Sequence, residues 1–301
     1  MINFYKRKIG DRQIRSLPSF EIGCWISVID PSPDEVDFLC KKFKLDKRNL
    51  LSGLDEYEIP RLDFINEDIY IFTKTILPER KLQTFLIVIG RNFILTLSKK
   101  EPTFFEKIFS GKIQIYTTQK LKTLIKLLFL INERFEKETT KVVKEVRASE
   151  IQRKEITEQQ LEELLEKEDF LNNLVSSYYY LSLLYERMIK RIDFFEQDRE
   201  MIRDLIEEIN EGFDLCKSSL KTISNIRDHL TIILTNKLNK VITILTIFTI
   251  LISLPAAISG IYGMNIALPL QKNPFAFHYI MGIIIFTWVS FIFYLRKNKI
   301  I

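Results

Sequence analysis

Two stretches near the C-terminal end, Val241–Ile261 and Phe275–Leu295, carry no formal charge when His278 is counted neutral. Each is about as long as the roughly 20 apolar residues that carry a helix across a bilayer's hydrocarbon core. The composition is 47% hydrophobic and 28% charged, two high values that seldom coexist in one globular core, and here they are segregated. Apolar residues gather after Val241, while charges crowd between Lys112 and Lys240. The link between the stretches, Tyr262–Pro274, is too short for a domain, so the pair reads as a helical hairpin through a membrane. Lys237 and Lys240 precede the first stretch and Arg296, Lys297 and Lys299 follow the second, against a lone Lys272 in the link. By the positive-inside bias the link faces outward and both termini face the cytoplasm. The chain is therefore expected in a plasma or inner membrane, as a multi-pass protein.

Upstream, no Gly or Pro occurs between Lys112 and Glu211, nor between Gly212 and Pro255. The residues there are helix formers, and apolar positions recur in three- and four-residue steps. Leu121, Leu124, Leu128, Ile131 and Phe135 form one such row, and Leu161, Leu164, Leu165, Phe170 and Leu174 another. The pattern predicts long antiparallel helices with breaks near Ser149–Thr157, where Thr157 is an N-cap candidate, and near Phe195–Asp198. The last helix is predicted to run from about Glu200 into the first span, on the order of 90 Å at 1.5 Å per residue.

The first third differs. Cys24–Ile29, Asp68–Ile76, Thr84–Gly90 and Asn92–Leu97 are β-branched and aromatic runs that read as strands, with Gly90-Arg91-Asn92 as a tight hairpin turn. Ser32 and Pro33 open a predicted helix over Pro33–Phe43. Cys24, Cys40 and Cys216 are too few and too scattered for a disulfide framework or a zinc site, and read as reduced thiols. The net charge of +5 forms no dense basic stripe, so no nucleic-acid partner is expected. No apolar run follows the charges of Met1–Asp11, so no secretory signal is expected.

The first span is not apolar all round. Alternating steps of three and four from Asn239 pass through Ile242, Thr246, Thr249, Ser253, Ala256 and Gly260, a seam of small and hydroxylated residues between faces of Ile, Leu and Phe. Such an alternation keeps one face on one axis, as in a coiled coil. Small residues also let two helices pack closely in lipid. Backward stepping reaches Thr235, Ile232, Asp228 and Asn225, so the seam stays mixed-polar, and a wet axis shared by several copies explains that better. At the outer end Pro255 removes a backbone donor, Gly260 and Gly263 are expected to bend the chain out of the helix, and Asn265 follows. Asparagine offers a neutral amide oxygen, and Mg²⁺ gives up its waters reluctantly. A ring of such oxygens would hold the hydrated ion through its waters and still release it.

Gly260-Ile261-Tyr262-Gly263-Met264-Asn265, set between these two spans in a chain with a basic tail, resembles the signature of the CorA family of Mg²⁺ channels. The similarity extends through Leu54-Asp55-Glu56, Pro60-Arg61, Tyr70-Ile71-Phe72, Phe85-Leu86-Ile87-Val88 and Asn92-Phe93, and through Asn236-Lys237-Leu238-Asn239-Lys240-Val241 at the start of the pore helix. The resemblance implies an α+β cytosolic domain over 1–115, long cytosolic helices over 116–240 and a pore-lining transmembrane helix over 241–262. An outer loop with the GMN motif over 263–274, a second transmembrane helix over 275–295 and a basic tail over 296–301 complete it. It implies a funnel-shaped homopentamer in the lipid bilayer that carries Mg²⁺ and is closed by intracellular Mg²⁺. Tyr262, Gly263, Met264 and Asn265 would form the selectivity filter, with Gly263 and Asn265 nearest the ion. Asn239 would stand at the inner mouth, Ile242 with Leu245 or Thr246 at the narrow gate, and Asp228 on the axis below. Asp204 would bridge subunits through a regulatory ion. Its expected partner position is Ser52 here, so Asp55 or Glu56 would have to substitute. The loop after Asn265 lacks the acids some relatives carry there.

Rival readings are a Co²⁺, Ni²⁺ or Zn²⁺ transporter on the same scaffold and a membrane-anchored helical sensor. Tyr178, Tyr179, Tyr180 and Tyr185 are expected to pack between long helices, Trp25 in the α/β core and Trp288 against lipid or a helix. His229 and His278 are isolated. No nucleophile–base set or phosphate-binding glycine loop is present, so no enzymatic activity is expected.

Overall fold

The computed structural model describes residues 1–151, 158–270 and 272–297. The chain divides into two compact units, Met1–Arg227 and Asp228–Ile301.

The N-terminal unit is built on a seven-stranded sheet: β1 (Ile2–Lys6), β2 (Arg15–Leu17), β3 (Cys24–Ile29), β4 (Arg61–Ile65), β5 (Asp68–Ile76), β6 (Leu82–Ile89) and β7 (Phe93–Ser98). Their spatial order is β2-β1-β3-β7-β6-β5-β4. β3 and β7 run parallel, and the remaining pairs are antiparallel. Central strands β6 and β7 are buried almost throughout, which is why they read as continuous apolar runs rather than alternating ones. The β6–β7 turn closes with Gly90 N–H donating to Phe93 C=O at 3.1 Å, as the Gly90-Arg91-Asn92 turn predicts.

α1 (Pro33–Phe43) and α2 (Lys47–Ser52) cover one face, with Val36, Leu39 and Leu50 set among Ile26, Phe72 and Leu95. α1 begins where predicted because Ser32 and Glu35 form a reciprocal capping box behind Pro33. On Trp25's side lies α3 (Phe105–Phe109): Trp25 is fully buried, edge-on to Phe105 at 5.0 Å, and its indole donates to Thr96 Oγ1 at 2.9 Å.

Three long helices follow, α4 (Lys120–Ile151), α5 (Glu158–Arg191) and the 67-residue α6 (Glu196–Tyr262). The row Leu124, Leu128, Ile131 and Phe135 on α4 is buried as its spacing predicts. On α5 the buried row is Leu164, Leu171, Leu174, Tyr178, Leu181 and Tyr185, with Phe170 buried beside it, whereas Leu161 and Leu165 are exposed. Leu165 is one step off that row, and Leu161 stands in the helix's first turn. Tyr179 departs from expectation for the same angular reason: it is 53% exposed, while Tyr178 and Tyr185 are buried. The break between α5 and α6 falls at 192–195, slightly before the predicted Phe195–Asp198. The break expected near Ser149–Thr157, with its Thr157 cap, lies largely at 152–157, outside the described residues.

The C-terminal unit holds the remainder of α6 and α7 (Ala276–Lys297). Both helices contain windows long and apolar enough to cross a membrane. At 1.5 Å per residue α6 measures about 100 Å.

Candidate ion pathway

Along the apolar part of α6, the half-buried positions are Thr243, Ile247, Leu251, Leu254, Pro255 and Ile258. They step by three and four, and one of them meets α7 directly: Trp288 Nε1 donates to the Leu251 carbonyl at 3.0 Å. The seam lies elsewhere. Asn239, Ile242, Thr246, Thr249, Ser253, Ala256 and Gly260 are all exposed, as is Leu245. At 100° per residue, Thr249 and Ser253 each stand about 160° from Leu251, on either side of the opposite face. The hydroxylated face therefore turns away from α7.

The hydroxyls on this face are already committed as donors. Thr246 Oγ1 donates to the Ile242 carbonyl at 2.8 Å, Thr249 Oγ1 to Leu245 at 2.9 Å and Ser253 Oγ to Ile250 at 3.1 Å. A hydroxyl whose proton is spent on the backbone keeps its lone pairs for an outside donor. The face thus presents acceptors, which suit the water shell of a cation.

Gly260 does not bend the chain, as the sequence suggested it would. α6 runs through both Pro255 and Gly260 to Tyr262. The winding ends at the motif itself: Gly263 N–H still reaches Ser259 C=O at 2.9 Å, and Met264 N–H tightens to Ile261 C=O at 3.2 Å. A Cβ on Gly263 would stand 3.2 Å from the Ser259 oxygen, so glycine permits this close last turn. Asn265 follows, exposed, and its amide has no hydrogen-bond partner among the described residues. Tyr262 turns toward the loop, its hydroxyl 3.5 Å from the Pro269 carbonyl. The loop re-enters helix at Ala276, after a turn in which Asn273 Oδ1 accepts from Phe275 N–H at 2.9 Å. Asn273-Pro274 is a turn-initiating pair that stands just before α7.

The regulatory candidates are in the N-terminal unit. Asp204 is exposed on α6. Asp55 accepts from Tyr57 N–H at 3.0 Å, and Glu56 pairs with Lys99 at 3.1 Å. Their loop is pinned from beneath by Lys74, which donates to the Glu56 carbonyl and to Thr84 Oγ1, and by Thr84, which donates to the Asp55 carbonyl. Burial holds the Lys74 ammonium below the usual lysine range, partly offset by Asp55, Glu58 and Glu56. Among the described residues no three His, Cys, Asp or Glu side chains gather as a metal cage, and no hydrogen bond or ion pair joins Asp204 to Asp55. Asp228, on the seam, is exposed in the C-terminal unit. His229 is exposed on α6 and His278 on α7.

A mixed-sheet unit, long bundle helices and two lipid-length helices joined by a short loop define a two-span membrane protein with a large extramembrane part. The chain belongs to the CorA-like Mg²⁺ transporter protein family, whose model matches residues 21–297. The cobalt/magnesium transport protein CorA of Methanocaldococcus jannaschii is 27% identical over 91% of this chain and 90% of its own. The solved complete structure of the CorA magnesium transporter from that organism superposes with a TM-score of 0.85 at 24% identity, covering 99% of this chain and 98% of its own. The full-length CmaX protein superposes at 0.75 with 16% identity over 96% and 95%. The fold is thus shared well beyond the sequence likeness.

Proposed function

We propose that the chain is a channel that carries Mg²⁺ into the cell down its electrochemical gradient. The observation that carries this reading is the seam: an acceptor-lined face of α6, turned away from α7, ends at an exposed Asn265 that has no hydrogen-bond partner among the described residues. Copies of the chain, five by family resemblance, gather these faces around one axis, with α7 outside. Both termini are cytoplasmic, and the Gly263–Asn265 turn faces out. The Asn265 amides hold the hydrated ion through its waters, which costs no dehydration of an ion that resists it. Asn239 opens the inner mouth, and Ile242 with Leu245 or Thr246 forms the constriction. Inside-negative voltage supplies about 2.3 kcal/mol per elementary charge per 100 mV, so transport runs without a nucleotide site. Intracellular Mg²⁺ closes the channel through Asp204, with Asp55 or Glu56 of a neighbouring copy as its partner. Co²⁺ is the first competitor to examine, because the archaeal relative's name couples cobalt to magnesium.

The test is Mg²⁺ uptake into liposomes. Wild type is expected to take up Mg²⁺, and Asn265→Ala to lose about tenfold or more, since a ring of hydrogen bonds each worth ~1 kcal/mol disappears. Equal flux through both proteins would remove Asn265 from the mechanism. A wild type without flux at low internal Mg²⁺ would favour a helical sensor instead.

A further inference from the structure

Proline at 255 has a consequence four residues earlier. In an α-helix the N–H of residue 255 would bond the carbonyl of residue 251, and proline has no N–H to give. Its ring also crowds that same carbonyl. The Leu251 oxygen therefore loses its ordinary partner inside a segment of lipid-crossing length, where an unpaired backbone group is costly. The structure fills this vacancy from α7. Trp288 Nε1, a donor only, reaches the Leu251 oxygen at 3.0 Å.

We propose that Trp288 is a positioning residue for the pore helix, replacing the backbone bond that Pro255 deletes and fastening α7 to α6 at that point. The proposal rests on the channel reading for its functional consequence, but not for its chemistry. Pro255 lies eight residues before Gly263, about 12 Å along the helix axis. A helix weakened there would let its last two turns swing, and with them the Asn265 ring. The indole ties that weak point to a second helix on the side away from the seam, so the outer turns keep their direction without any group entering the pathway. Thr287, the neighbouring polar residue on α7, is committed to its own helix, donating to the Ile284 carbonyl at 2.8 Å and to Ile283 at 3.0 Å, and so leaves this task to Trp288.

The experiment is a double-mutant cycle on the full chain: wild type, Trp288→Phe, Pro255→Ala and the double variant, each assayed for Mg²⁺ flux in liposomes and for thermal unfolding in detergent. Trp288→Phe keeps an aromatic ring and removes the donor, so it is expected to cut maximal flux several-fold and lower the melting temperature by about 2–4 °C. Pro255→Ala returns the N–H to Leu251. In that background Trp288→Phe is expected to cost little in either measurement, a coupling that independent sites do not show. If Trp288→Phe does not fold, recovery of folded protein in the double variant is the same result. Equal loss in both backgrounds would overturn the proposal and leave Trp288 as a lipid or packing contact. Absent flux in wild type would sink the channel reading alone, and the melting cycle would still decide whether the indole repairs the proline break.

Discussion

The two units treat buried and exposed groups in opposite ways. In the Met1–Arg227 unit most polar side chains that leave water find a protein partner. Asn132, on α4, is nearly buried, donates to the Leu205 carbonyl of α6 at 3.0 Å and accepts from Tyr185 of α5 at 3.1 Å. Thr139 and Tyr178 share a hydrogen bond of 2.8 Å beside Cys216. In the Asp228–Ile301 unit the apolar side chains are the ones left uncovered: Leu245 is 65% exposed, Phe248 59% and Ile252 69%. Water is a poor solvent for such a surface, whereas a bilayer would cover it, and so would further copies of the chain in the assembly proposed above. The first unit carries its own reasons for folding; the second borrows them from surroundings.

The sharpest way to break that contrast is to truncate one aromatic side chain in each unit. Trp25→Ala opens a hole beneath the sheet and removes the donor to Thr96, and should cost about 3–5 kcal/mol in chemical unfolding. Phe248→Ala removes a side chain with little protein around it and should change the monomer's melting in detergent far less. Comparable losses would show that Phe248 is packed within one copy after all.

A smaller effect is expected at the α5–α6 contact. A Cβ on Gly212 would stand 2.5 Å from the Tyr178 ring, so only glycine fits this approach. Gly212→Ala should cost about 1–3 kcal/mol through overpacking. Tyr178→Leu, which removes the obstructing ring, should recover part of that loss in the double variant; strictly additive losses would place the strain elsewhere. Gly260, in the other unit, would meet nothing within 4 Å, so Gly260→Ala should leave the stability of a single chain unchanged and register only where copies assemble.

How much of this was legible in the sequence follows the same division. β3, β5 and α1 have the bounds their residues predict, because each is decided locally: β-branched runs for the strands, and Ser32, Pro33 and Glu35 for the helix. β1, β2 and β4 were missed. They lie toward the two edges of the sheet, where half-burial admits Asn3, Arg61 and Asp63 and dilutes the apolar pattern. The seam on α6 was legible because it is a spacing, and so were the two spans. Trp288's partner was not, since it depends on how α7 is rotated against α6. Asp204's partner is equally illegible from one chain: Ser52 supplies no carboxylate, and Asp55 uses one of its two carboxylate oxygens on its own turn.

The smallest expected effect separates the units by pH. Arg80 and Glu145 form an ion pair between the β5–β6 loop and α4, and the hydrogen bond from Arg80 holds the Glu145 carboxyl below its ordinary 4.5. A carboxylate with a lowered folded pKa contributes stability that is fully present above the unfolded value and is lost as pH falls through the folded one. Wild type should therefore shed this contribution below about pH 4.5, and Glu145→Gln should lack it at neutral pH and show a flatter acid limb. Because the pair is partly exposed, the difference at pH 7 should be ~1 kcal/mol or less, read as a small shift in urea midpoint. All described ion pairs belong to residues up to Arg227, so no described ion pair of the α6–α7 hairpin has such an acid dependence to lose. If acid instead released Trp288 fluorescence before the N-terminal unit unfolded, measured with Trp25→Phe to leave one indole, the hairpin would be leaning on a titrating group that lies outside it.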